Sequence, residues 1–158
     1  MNQEPIKRTQ WVTALSALPA EQVVSLCTEL SEGWKIRPKS IPQSGLGLLK
    51  LNDSALNDPF YLGEIPISSA WIEVTTAEGQ QTEGAAQLMD DRLELVEALA
   101  LCDAILATQL PGWEKIEAMV KQGLQLREVI KIERKRLLAH TQVNFSLLDD
   151  VGDDNADT

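Results

Sequence analysis

One stretch limits the folds open to this chain more than any other: Pro59-Phe60-Tyr61-Leu62-Gly63-Glu64-Ile65-Pro66-Ile67-Ser68-Ser69-Ala70-Trp71-Ile72-Glu73-Val74. It is dense in β-branched and aromatic residues and has turn-formers on both sides, Leu56-Asn57-Asp58 before it and Thr75 to Gly79 after, which predicts a long strand. Alternation puts Phe60, Leu62, Ala70, Ile72 and Val74 on one face and Tyr61, Ile65, Ile67 and Trp71 on the other. Both faces are apolar, so both need cover. Pro66 has no N–H to give a ladder, which places it at an edge or a bulge. Glu64 is a carboxylate in apolar company and must find a donor, a partner chain or water.

Around this strand the chain reads as helices, then strands, then helices. Trp11, Leu15 and Leu18 share one stripe and predict a short helix over Trp11 to Leu18. Pro19 fits the first turn of a second helix, on which Val23, Val24, Cys27 and Leu30 recur at helical spacing, and Glu32-Gly33 ends it near Ser31. Trp34 to Pro38 alternates apolar with basic and predicts a short strand, Pro42 to Ser44 a turn, and Gly45 to Leu51 a second strand. Asn52 to Pro59 then closes a hairpin onto the long strand. Residues 84 to 89 alternate and suit a fourth strand, with Asp90 or Asp91 as the N-cap of the helix that follows. On that helix Leu95, Leu99, Cys102 and Leu106 form a stripe widened by Val96, Ala100 and Ile105, so it packs on more than one side. Leu110-Pro111-Gly112 breaks it from a final helix, Trp113 to about Thr141, in which Gly123 marks a close packing point.

The expectation is an α+β domain over residues 1–148, an antiparallel sheet of about four strands flanked by N-terminal and C-terminal helices, followed by an acidic, disordered tail over 149–158. A chain of 158 residues, 44% hydrophobic and 24% charged, is ordinary for one globular domain. Met1 to Arg8 has no apolar core segment, so no signal peptide is expected, and no run nears the ~18 apolar residues of a membrane span. These readings point to the cytoplasm. A net charge of −10 argues against a nucleic-acid binder, which needs clustered Lys and Arg. The charge is unevenly spread: residues 73–112 hold eight acids against Arg92 alone, 113–142 seven bases against four acids, and 149–158 five Asp with no base. Such blocks are docking faces, intramolecular pairs or simply solvated surfaces.

Chemistry-bearing residues are sparse. His140, the only histidine, lies near the end of the last helix, and no third group is visible to orient it against a nucleophile. Cys27 and Cys102 lack metal-ligand or redox spacing and read as buried small hydrophobes. Gly45-x-Gly47 lacks the third glycine and the helix opening of a dinucleotide turn. Asp90, Asp91, Glu94 and Glu97 fall within two helical turns, an arrangement that either holds magnesium beside a nucleotide or is a solvated acidic face. Glu64 is the more pointed acid, with a salt bridge as its plainer role. Composition and spacing alone show no catalytic constellation, and no metal or cofactor site is expected on this chain.

The long strand also carries a resemblance. Leu62-Gly63-Glu64-x-x-x-Ser68-x-Ala70-x-Ile72 resembles the sheet motif of the PhnG family, a subunit of the bacterial carbon–phosphorus lyase system for phosphonates. Arg8-x-x-Trp11 with Leu15, Ser44-Gly45-Leu46, Glu97-x-x-Ala100-Leu101-x-Asp103-Ala104 and Thr141-x-Val143-x-Phe145 resemble further family segments in the same order. The chain departs from the family pattern at Asp90, where Gly is frequent, at Trp71, where an acid is frequent, and at Ser146, where a second aromatic is usual.

The resemblance implies a subunit that works with PhnH-, PhnI- and PhnL-like partners in displacing adenine from ATP by a phosphonate. The product is α-D-ribose 1-methylphosphonate 5-triphosphate when methylphosphonate is the substrate. A PhnJ-like partner carries the iron–sulfur cluster and uses S-adenosylmethionine, and the core assembly is two-fold symmetric. The family's nucleosidase-type chemistry sits on the PhnI-like subunit, so no catalytic residue is carried over. Subunit contact is expected at Phe60, Leu62, Glu64, Ile65 and Trp71 and at the basic end of the last helix, Arg134 and Arg136. The competing reading is a stand-alone magnesium-dependent, nucleotide-processing enzyme that uses Glu64 or the acidic helix face.

Overall fold

The computed structural model describes residues 6–140. Its elements run α1 (Arg8–Leu15), α2 (Ala20–Leu30), β1 (Lys35–Asn52), β2 (Pro59–Thr75), β3 (Gln81–Leu88), α3 (Leu93–Thr108) and α4 (Trp113–His140). The fold is α+β, with a sheet in the antiparallel order β1-β2-β3. Among the described residues the sheet has three strands, where about four were expected. Trp34 to Pro38 and Gly45 to Leu51 are not separate strands, because β1 continues through Pro38 and Pro42 by bulging. The register against β2 slips between Pro38 and Ser40 and again between Ser40 and Gln43. Each slip absorbs one extra residue, which is how an edge strand tolerates proline.

The hairpin closes where the sequence places its loop. Asp53 Oδ1 accepts the N–H groups of Ala55 and, at 3.4 Å, Leu56, while the Asp53 N–H donates to the Asp58 carbonyl at 2.9 Å. Asn57 takes the left-handed conformation (φ 58°) that asparagine tolerates, and its side chain accepts from Asn52 at 3.1 Å.

By its contacts the chain divides into two units, Met1–Leu126 and Arg127–Thr158. The first holds the core. It centres on α3, where every residue from Ala98 to Leu106 is buried. One side of α3 lies on the sheet, against Ala70, Ile72 and Val74 of β2 and Ala86 of β3. Gly84 sets how close they come: a Cβ there would sit 2.0 Å from the Ala100 carbonyl oxygen. The other sides take α1 and α2, which bring Ala14, Leu15, Val23 and Cys27 into the same core. Gly123 of α4 meets α1 in the same way, its absent Cβ lying 2.1 Å from the Ala14 carbonyl oxygen. This is the close packing point expected of Gly123.

Asp103, the one acid inside α3's buried stretch, is satisfied from two elements. Arg8 of α1 donates to it twice, at 2.8 and 2.6 Å, and the N–H of Ala85 on β3 donates at 3.1 Å. Hydrogen bonding and charge from Asp103 raise the Arg8 guanidinium above its ordinary value. A paired fork of this kind orients both partners, so α1, α3 and β3 are fixed to one another by a single carboxylate.

The second unit's described part is the end of α4, residues 127–140. It exposes Val129, Ile132 and Leu137 beside Lys131, Arg134, Lys135 and Arg136. The segments Thr141-x-Val143-x-Phe145 and 149–158 lie outside the described residues, as does the side chain of His140.

Backbone contact at Gly84 and Gly123 leaves no room for a methyl group. Gly84→Ala and Gly123→Ala are each expected to cost about 1–3 kcal/mol or more, read as a fall in the thermal midpoint. Gly45→Ala meets nothing within 4 Å and should leave the midpoint unchanged.

Candidate functional site

Two ends of the β1–β2 hairpin differ sharply in cover. β3 pairs with β2 only from Ser68 to Thr75, so among the described residues β2 has no neighbour on its outer edge from Pro59 to Ile67. Pro66 falls in that part, where no ladder N–H is demanded of it. The strand turns from buried to exposed at the same point: Ser68, Ala70, Ile72 and Val74 are buried, while Pro59 to Glu64 are all exposed.

What projects is a two-stranded apolar ribbon. Leu48, Tyr61 and Leu62 are 61%, 62% and 64% exposed, and Leu46, Ile41, Leu56 and Phe60 are exposed with them. Register assigns the faces. Ser44 stands opposite Ser68, Leu46 opposite Pro66, Leu48 opposite Glu64 and Lys50 opposite Tyr61. These pairs continue the face that α3 covers further up the sheet. Gly45–Ile67, Gly47–Ile65, Leu49–Gly63 and Leu51–Phe60 make the opposite face.

The alternation expected for β2 therefore fails at one place. Between Leu49 and Lys50 the register slips again, leaving Leu62 as an extra residue on β2. A bulge reverses the faces beyond it. Phe60 consequently shares a face with Ile65 and Ile67, not with Ala70 and Ile72. Nothing in the residue types distinguishes Leu62 from a regular strand residue, so period-2 counting has no signal for it.

Trp71 lies elsewhere, on the outer face of the three-stranded part. Its Nε1–H donates to Glu83 at 3.1 Å, Lys39 Nζ lies 4.9 Å from the ring centroid, and Lys39 also bonds the other Glu83 oxygen. Lys39 is the residue looped out by the first bulge of β1. Its hydrogen bond is the leading cause that holds the Glu83 carboxyl below its ordinary value. Trp71 thus has partners already, with 44% of its surface still open.

The acids do not converge. Glu64 stands exposed on the ribbon opposite Leu48, and no salt bridge to it forms among the described residues, so the structural pairing expected of it is not made. Neither Asp90 nor Asp91 is the N-cap of α3; Arg92 is. Asp90 instead accepts the Arg92 N–H at 2.9 Å and takes its guanidinium at 2.9 and 2.5 Å. Those bonds, the side-chain ones first, hold the Asp90 carboxyl down to about 2. Glu94 and Glu97 face the rim of a cavity between α2 and α3. Among the described residues no group of three or more His, Cys, Asp or Glu is placed to hold a metal ion. No described helix is long and apolar enough to cross a membrane. The two cysteines, far apart in sequence, are in contact in the fold, with 3.3 Å between their sulfurs.

Comparison with family models matches residues 6–149 to the family described as "Phosphonate metabolism protein PhnG". The chain belongs to the PhnG family. It is therefore a phosphonate metabolism protein. Comparison with curated proteins gives no match. The fold brings together two of the sequence segments that carried the resemblance: Arg8 and Asp103, from separate motifs, are bonded to each other.

The Asp90–Arg92 pair has a signed consequence. Its carboxyl lies below the ordinary 3.8 when folded, so the stabilisation is present above 3.8 and is lost as pH falls through about 2. In Arg92→Ala, which removes the side-chain bonds and keeps the backbone one, a carbon-detected NMR titration should find Asp90 raised from about 2 toward 3.8.

Proposed function

We propose that this chain is a non-catalytic subunit of the carbon–phosphorus lyase core assembly, and that its β1–β2 ribbon is completed by a partner subunit. The observation that carries the reading is the ribbon itself. A contiguous apolar surface on both faces of a projecting hairpin is a protein-docking feature, since monomers rarely leave such surfaces open. Family membership supplies the setting. In it the partners are PhnH-, PhnI-, PhnJ- and PhnL-like chains. The supported reaction is formation of α-D-ribose 1-methylphosphonate 5-triphosphate from ATP and methylphosphonate with release of adenine. Iron–sulfur and S-adenosylmethionine chemistry belongs to the PhnJ-like partner.

Within the ribbon, Phe60, Leu62, Glu64 and Ile65 are the contact residues, with the outer edge of β2 open to an added strand. Trp71 contributes the face around Lys39 and Glu83. Arg134 and Arg136, exposed on the end of α4, are a separate polar contact. Glu64 serves this role better than catalysis: it stands on a two-stranded ribbon, and among the described residues no group of His, Cys, Asp or Glu is gathered to it.

The test is co-expression of the full chain with its partner subunits. Leu48→Glu and Leu62→Glu replace exposed residues, so the thermal midpoint of the chain alone should hold, within the ~0.5 kcal/mol usual for surface changes. Affinity for the partners should fall roughly 30-fold or more, as expected for loss of an interface anchor. Unchanged affinity in both variants would remove the ribbon from the interface. Turnover of ATP and methylphosphonate by the chain alone, abolished by Glu64→Gln, would replace the subunit reading with the stand-alone enzyme.

A further inference from the structure

Cys27 of α2 and Cys102 of α3 are separated by 75 positions in sequence and by 3.3 Å between sulfurs. Both are buried free thiols. The Cys27 thiol also donates to the Ala98 carbonyl at 3.3 Å, which holds it against α3. Two sulfurs in contact across a helix pair need to approach by only about 1.2 Å to reach the ~2.05 Å of a disulfide. Cys27 has a second property that Cys102 lacks. It forms part of the wall of a cavity of about 390 Å³, bounded by Val24 and Thr28 of α2, Ile36 of β1, Ile72 of β2 and Leu101 of α3. A small uncharged oxidant therefore has a route to one sulfur of the pair.

We propose that Cys27 and Cys102 form an oxidative modification site, in which a peroxide converts the two thiols to a disulfide that ties α2 to α3. Cys27, on the cavity side, reacts first. Its sulfur attacks one peroxide oxygen, the O–O bond breaks, and Cys27 becomes a sulfenic acid with release of one water. Cys102 then attacks the Cys27 sulfur, its proton leaves with the departing hydroxide as a second water, and the S–S bond forms. Two thiols and one hydrogen peroxide give one disulfide and two waters, with sulfur oxidised and peroxide oxygen reduced. Donation of its proton to the Cys27 sulfur, together with burial, keeps the Cys102 thiol well above its ordinary value. Cys102 therefore holds little thiolate near neutral pH, and the second step is faster at higher pH.

The test treats the full-length chain with hydrogen peroxide and maps its thiols. The expected result is a monomer lighter by two hydrogens, a peptide joining Cys27 to Cys102, and reversal by dithiothreitol. Because the bond closes a long loop, the thermal midpoint should rise by roughly 5–10 °C. Cys102→Ser should instead yield a Cys27 sulfenic acid that a cyclic-dione reagent captures. In Cys27→Ser, oxidation of Cys102 should be at least about ten-fold slower, since Cys102 does not line that cavity. The proposal is overturned if both cysteines remain alkylatable after unfolding of the peroxide-treated protein, or if the disulfides formed join different chains. It is overturned equally if a Cys27→Ala, Cys102→Ala double variant shows the same rise in midpoint.

Discussion

A helix apolar around its whole circumference has to be wrapped, and α3 is such a helix. From Ala98 to Leu106 it has no buried-to-exposed alternation at all, so no single sheet or helix face can satisfy it. The sheet takes one side and α1 and α2 the others. This requirement fixes the order of layers. It also explains why small residues recur where backbones meet α3: Gly84 on β3, Ala86 beside it, and Ala100 and Ala104 opposite. A carboxylate inside such a helix would be costly without donors. Asp103 escapes that cost because the two elements that wrap α3 there each bring one, Arg8 from α1 and the Ala85 N–H from β3. The ion pair is thus less a source of stability than a device that sets where α1 and β3 sit.

Wrapping α3 uses up the helices, and the lengths do not match. α3 has 16 residues and spans about 24 Å. β2 has 17 residues and spans about 56 Å. A helix of that length covers less than half of the hairpin's face, and β3, with 8 residues, supports a similar fraction of its edge. The remainder of the hairpin is apolar without any element of the described chain to cover it. Composition alone hides this, because 44% hydrophobic content is ordinary. The apolar residues are simply not all spent on the core.

Much of this was legible in the residues. The hairpin loop, the final three helices' positions, the close packing at Gly123 and the doubly apolar character of β2 follow from local pattern, since each depends on neighbours within a few positions. What escaped reading depends on partners far away in sequence or on geometry that residue type does not encode. Pro38 and Pro42 look like strand terminators, yet an edge strand accommodates them by bulging. Leu62 reverses the faces of β2 without any compositional mark. Arg8 meets Asp103 across 95 positions, and the cysteines meet because α2 and α3 cross there. Asp90 has the right chemistry for a helix cap but lies two positions before the cap, Arg92, whose side chain claims its oxygens first.

An exposed apolar hairpin is an aggregation hazard as much as a docking surface, and the ribbon's irregularities bear on which it is. A flat, regular edge would pair with copies of itself. Among the described residues β1 is an edge strand along its full length, but Pro38 and Pro42 remove two donors and three register slips keep the hairpin from being a uniform ladder. On β2 the open stretch contains Pro66 and the bulge at Leu62. Lys50 and Glu64 place charge on the face that continues the core, where an identical ribbon laid against it would have to bury them. These features oppose indiscriminate strand pairing while leaving Leu46, Leu48, Tyr61 and Phe60 accessible. A surface that resists its own copies yet stays apolar on both faces fits the proposed docking of a different, complementary chain better than self-association.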